Sequence, residues 1–164
     1  MHEIIQNEAG SFHNYLSEGC KLCKLGSKMV LFVTGICGRD CFYCPISEDR
    51  KNDVTYANER RVTSDEDVIA EARQMDALGT GITGGEPLLE LERVVHYIRL
   101  LKSEFGVAHH IHLYTSIAPD KETLVALADA GLDEIRFHPP QEMWNCLEQT
   151  PFADPIAAAV ELGL

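Results

Sequence analysis

Cys37-Gly-Arg-Asp-Cys41-Phe-Tyr-Cys44 stands directly after an apolar run over residues 29–33. Three thiols in so short a loop cannot each enter a separate disulfide without severe strain. A chain with no secretory features would in any case keep them reduced, so the pattern reads as one shared metal centre. Three thiolates are one short of closing a four-iron cube, and structural zinc wants four ligands in a closed tetrahedron. The iron left without a protein ligand is a place for a substrate or cofactor.

Upstream of the thiols, residues 28–33 have the continuous apolar character of a buried parallel strand that ends where Thr34-Gly35-Ile36 turns. The cysteine loop therefore hangs from a strand's C-terminal end, where parallel α/β folds carry their ligand loops. Downstream, residues 47–61 are polar and read as an exposed connection with a short extended piece at 54–56. Ser64, with Asp67 three residues on, comes close to a capping box, and Val68, Ile69, Ala72, Met75 and Leu78 follow at helical spacing up to Gly79. Residues 81–83 make a second strand that delivers Gly84 and Gly85.

Pro87 opens a long helix with an inward stripe of Leu91, Val94, Val95, Ile98, Leu101 and Phe105. Glu90, Glu92, Arg93, Arg99 and Lys102 are left for solvent, and Gly106 ends the helix. A third strand is expected over 108–115. Asp120 and Glu122 then start a helix through Leu124, Val125, Leu127 and Ala128 to Gly131. A fourth strand over 134–138 is stopped by Pro139 and Pro140, and Asp154-Pro155 opens a last helix to Gly163. Regular alternation of strand and helix is the mark of an α/β fold with a parallel sheet.

Residues 1–28 form an N-terminal extension, and residues 29–164 carry the α/β domain. In the extension, 11–18 could make a short helix stopped by Gly19, with Cys20-Lys-Leu-Cys23 in the loop beyond it. This pair is half of a zinc or auxiliary iron-sulfur site, or else a reduced pair in a surface turn.

Alternation puts His110, His112 and Tyr114 on one face of the third strand, and Glu134, Arg136 and His138 on the matching face of the fourth. One face is thus apolar and suits helices, while the other is polar and suits a wet cavity. Tyr114, Arg136 and His138 lie nearer the C-terminal ends and are the candidate cavity residues. His109, His110 and Glu134 read as structural, and His2, His13 and His96 as surface positions.

A net charge of −12 argues against a broad phosphate-binding surface, which disfavours nucleic acid as a partner. No apolar run approaches the roughly 18 residues of a membrane span, and the N-terminus lacks a signal-peptide pattern, so a cytoplasmic protein is expected.

The C-x3-C-x2-C spacing with Tyr43 before the last cysteine, followed by Gly84-Gly85-Glu86-Pro87, resembles the radical S-adenosylmethionine (radical SAM) superfamily. Cys41-Phe-Tyr-Cys44-Pro45 and residues 30–35 look most like uncharacterised archaeal members related to the pyruvate formate-lyase activating enzymes. The resemblance implies a partial (β/α) barrel of six units. The chain is then expected to be a fragment truncated to about four, with the fifth and later strands absent, including the glycine-rich adenine motif of strand five.

It further implies a 4Fe-4S cluster on Cys37, Cys41 and Cys44 whose fourth iron binds the amino and carboxylate groups of S-adenosylmethionine. Reductive cleavage would give a 5′-deoxyadenosyl radical that takes hydrogen from an unknown substrate, in anaerobic, activase-like oxidoreductase chemistry fed by a reductant such as ferredoxin or flavodoxin. By the same resemblance Gly84 and Gly85 would meet the methionine amino group through their carbonyls, with Glu86 supporting the turn. Tyr43 would lie against the adenine. Thr115 or Ser116 would supply a hydroxyl to the ribose or carboxylate, unless they merely cap a turn. Two alternatives stand beside this reading. One is an iron-sulfur electron-transfer or scaffold protein, which has no use for the Gly-Gly-Glu-Pro turn. The other is a zinc module completed by Cys20 or Cys23.

Overall fold

The computed structural model describes residues 16–164 and, before them, two short strands, β1 (Ile5–Gln6) and β2 (Phe12–His13), paired antiparallel. His2 lies outside the described residues, as do the side chain of His13 and residues 11, 14 and 15; the helix expected over 11–18 does not form, since Phe12–His13 is strand, residues 16 and 17 are not helical and helix begins only at Glu18. The first helix, α1, is Glu18–Lys24, capped by the Ser17 hydroxyl. Cys20 and Cys23 therefore sit on a helix, not in a loop, and Gly19 lies inside that helix instead of stopping it.

The main sheet has six strands in the order β5-β4-β3-β6-β7-β8. These are β3 (Lys28–Phe32), β4 (Tyr56–Ala57), β5 (Arg60–Arg61), β6 (Gly79–Thr83), β7 (His110–Thr115) and β8 (Glu134–Phe137). The four long ones run parallel, with registers Lys28↔Gly79, Gly79↔His110 and His112↔Glu134. This is a partial β/α fold of the kind the alternation implies. The polar connection after the cysteine loop folds back as the β4–β5 hairpin, pairing antiparallel with β3 through Leu31↔Ala57.

The helices are α2 (Asp65–Gln74), α3 (Leu91–Phe105), α4 (Lys121–Ala130) and α5 (Ala153–Leu162). α2 has the capping box on Ser64 and Asp67, and α4 is capped by Asp120 and closed by Gly131 at φ 104°. α2 ends earlier than its apolar spacing suggests. Asp76, at φ 50°, makes the turn, Leu78 is exposed, and Gly79 opens β6. Pro87 starts a 3-10 turn, Pro87–Glu90, before α3 proper, and Tyr97 joins the buried stripe of that helix. Val125 of α4 is turned to solvent.

The core lies on one side of the sheet. Met29, Leu31, Val33, Ile82, Ile111 and Leu113 meet Val68, Ala72, Val94, Ile98, Leu101 and Leu127 of the helices. His109 shares this face, where it is stacked on Phe105 and within 2.9 Å of Thr80 Oγ1 through Nε2. The opposite face carries Lys28, His110, His112, Glu134 and Arg136, and α1 packs over it at the N-terminal ends of the strands. A Cβ on Gly19 would come within 2.8 Å of both Arg136 Nη2 and Glu134 Oε2. Among the described residues no helix is long and apolar enough to cross a membrane.

Candidate active site

At the C-terminal ends of the parallel strands opens a cavity of about 1240 Å³. The loop after β3 brings Cys37, Cys41, Tyr43 and Cys44 to it, the turn after β6 brings Gly84, Gly85 and Glu86, and the end of β7 brings Tyr114, Thr115 and Ser116. His138, just past β8, completes that side, with its ring 6.0 Å from the Tyr43 ring in an edge arrangement. Residues separated by a hundred positions in sequence thus meet because each follows a strand of one sheet.

The three thiols are free. Cys44 N donates to the Cys41 carbonyl at 2.9 Å, a turn that holds these two close in sequence and space. Among the described residues no three His, Cys, Asp or Glu side chains stand close enough to share a single ion.

The glycine turn is bonded to the root of the cysteine loop. Gly85 N donates to the Thr34 carbonyl and Glu86 N to the Ile36 carbonyl, both at 2.8 Å. The approach is close enough that only glycine fits. A Cβ on Gly84 would stand 2.5 Å from the Thr34 oxygen, and one on Gly85 would strike the carbonyls of Gly35 and Ile36. Among the described residues no hydrogen bond ends on the carbonyl oxygen of Gly84 or Gly85. A side-chain-free edge with two unused acceptors fits the amino group of S-adenosylmethionine, and three free thiols at the same cavity fit the cluster.

Glu86 is buried and fully engaged. Oε1 accepts from Leu88 N at 3.1 Å and Thr115 Oγ1 at 2.8 Å, and Oε2 accepts from Ser116 N and Ser116 Oγ, each at 2.7 Å. Its carboxylate thereby staples the end of β7 to the glycine turn. Desolvation, and then a hydrogen bond with Cys41, raise the Tyr43 phenol above its ordinary value.

Arg136 does not reach the cavity lining. It donates to Glu134 Oε1 at 2.6 Å, to the Tyr114 hydroxyl at 2.5 Å and to Cys20 Sγ at 3.3 Å, and is held beneath the cavity by α1. Burial works against charge there, but the bonds to Glu134 and Tyr114 outweigh it and raise the guanidinium pKa. Alternation gave Arg136 the correct face, but the strand alone did not reveal that α1 covers it. In the same layer Lys28 Nζ lies 2.9 Å from the Nδ1 atoms of both His110 and His112, and burial pulls its pKa down to about 8. Glu134 and His110 are in structural hydrogen bonds, and His96 is exposed beside Asp65.

One residue at the loop's base drew no attention in the sequence. Arg93, placed on the solvent side of its helix by periodicity, turns back and pairs with Asp53. Its partner is 40 positions away, so no local pattern marks it.

The profile of the Radical SAM superfamily matches residues 31–139. The chain is 53% identical over 126 residues to a protein of Methanocaldococcus jannaschii named "Putative glycyl-radical enzyme activating enzyme". That stretch is 76% of this chain and 33% of the relative, so the chain spans about a third of that relative's length. No solved structure matches it. The cysteine loop and the glycine turn both fall within the matched residues, and this chain belongs to the radical SAM superfamily.

Proposed function

We propose that this chain carries the cluster- and cofactor-binding part of a radical SAM activating enzyme, with a 4Fe-4S cluster on Cys37, Cys41 and Cys44. The observation that supports it most is the meeting, at one cavity, of three free thiols and a glycine turn hydrogen-bonded to the root of their loop. When bound, the cluster supplies the electron for reductive cleavage of S-adenosylmethionine, and with it a radical able to take hydrogen from a substrate.

The chain's own residues bind and orient. The carbonyls of Gly84 and Gly85 receive the methionine amino group, and Tyr43, with His138 edge-on to it, packs against the adenine. Ser116 Oγ spends its proton on Glu86. It can therefore only accept from a ligand, which suits a ribose hydroxyl better than a carboxylate. The relative's name supports a protein substrate, a glycyl-radical enzyme that would be activated by loss of a hydrogen atom. A small reductant such as ferredoxin or flavodoxin and a cytoplasmic setting belong to the same reading.

The test is anaerobic reconstitution with iron and sulfide, followed by electron paramagnetic resonance with and without S-adenosylmethionine. A four-iron signal that shifts on adding the cofactor and is lost in Cys41→Ala is expected. A cluster indifferent to the cofactor would leave an electron carrier, and zinc in place of iron would end the radical reading.

A further inference from the structure

The cysteine loop leaves the sheet at Val33 and comes back at Asp53, and a side chain from outside the loop joins the two ends. Arg93, in the first turn of α3, donates from Nη1 to the Val33 carbonyl at 2.8 Å and to Asp53 Oδ1 at 2.5 Å, and from Nη2 to Asp53 Oδ2 at 3.0 Å. The ends also bond each other directly, Thr34 Oγ1 to Asp53 Oδ1 at 3.1 Å and Gly35 N to the Asn52 carbonyl at 2.9 Å. On its other side Arg93 lies 3.5 Å from Glu90, in the 3-10 turn that follows the glycine turn.

An isolated surface ion pair would carry little meaning. This one differs in geometry, since a single planar guanidinium spans a carboxylate with two bonds and a backbone carbonyl with a third. The Arg93 hydrogen bond holds the Asp53 carboxyl below its usual range.

We infer that Arg93 is a positioning residue for the cluster loop, fixing its entrance against its exit and tying both, through α3, to the glycine turn. The three thiols and the cofactor-binding carbonyls then keep one mutual arrangement. This rests on the reading of Cys37, Cys41 and Cys44 as cluster ligands. The closing of the loop, though, can be measured without any cluster.

The loop contains trypsin sites at Arg39, Arg50 and Lys51. In cluster-free protein, Arg93→Ala should speed cleavage at Arg39 and Lys51 on the order of tenfold by raising the open population of the loop, while sites in the helices are cut at the wild-type rate. Arg93→Lys keeps the charge but not the fork and should restore little of the protection. Asp53→Asn should resemble Arg93→Ala, and the double variant should be no worse than either. Should Arg93→Ala prove globally unstable, Asp53→Asn, at a more exposed position, carries the same test.

After reconstitution, Arg93→Ala and Asp53→Asn should load less iron per chain and give a broader resonance than wild type. Faster cleavage in the two variants, together with a wild-type chain that never takes up iron, would support the clasp and sink the cluster reading alone. Normal loading with unchanged cleavage and unchanged resonance in both variants would overturn the clasp and leave the cluster reading standing.

Discussion

Replacing Glu86 with glutamine changes one atom in a buried place. Glu86 accepts four hydrogen bonds, two on each oxygen. Glutamine offers one oxygen and one NH2 group, and whichever way it turns the NH2 faces a backbone N–H and a hydroxyl. The hydroxyl can rotate and accept, but the backbone donor, Leu88 N or Ser116 N, cannot. The variant therefore loses a charge-assisted bond and strands a buried donor, for a cost of about 3 kcal/mol. In a chain of this size that is a fall in the unfolding midpoint of roughly 6–12 °C. Thermal and urea unfolding of Glu86→Gln, with exposed Glu92→Gln as the control, reads it directly. Ser116→Ala should be less damaging in the Glu86→Gln background than in wild type, because the two share bonds. A Glu86→Gln protein within about 1 kcal/mol of wild type would show that the staple between β7 and the glycine turn is not what holds the site together.

Two further outcomes follow from the buried polar layers. Burial lowers the pKa of His109 to about 4 and of His112 to about 3, against an ordinary 6.5, so the unfolded chain binds more protons than the folded one between those values. Stability should be fully present above pH 6.5 and fall as pH drops toward 4, with a shallower slope in His109→Gln, measured by urea unfolding across that range. Gly19→Ala places a Cβ against Arg136 and Glu134 and should lift α1 from the sheet at a cost of about 1–3 kcal/mol, read as faster alkylation of Cys20.

Much of the fold was legible because its signals are local. The stripe Val94, Ile98, Leu101 fixed the buried face of α3, and alternation along residues 110–115 separated Ile111 and Leu113 from His110 and Tyr114. The cysteine spacing and the glycine turn marked the cavity before any strand order was known. What escaped depends on distant partners. Ser17, Gly19 and Cys20 of α1 meet β8 more than a hundred positions later, so neither the helix's place nor the withdrawal of Arg136 from the cavity could be read from either segment. The β4–β5 hairpin, with two-residue strands, is too short to show a period. Arg93 obeys the amphipathic pattern and then departs from it by reaching over the end of its helix.

The position of α1 has a consequence for traffic. With Ser17, Gly19 and Cys20 set against Glu134, Arg136 and His110, this chain closes the polar side of the sheet beneath the cavity and leaves its opening at the strands' far ends. A small thiol reagent should therefore reach Cys37 and Cys44, both exposed at that opening, well before Cys20, whose sulfur is held against Arg136 beneath α1.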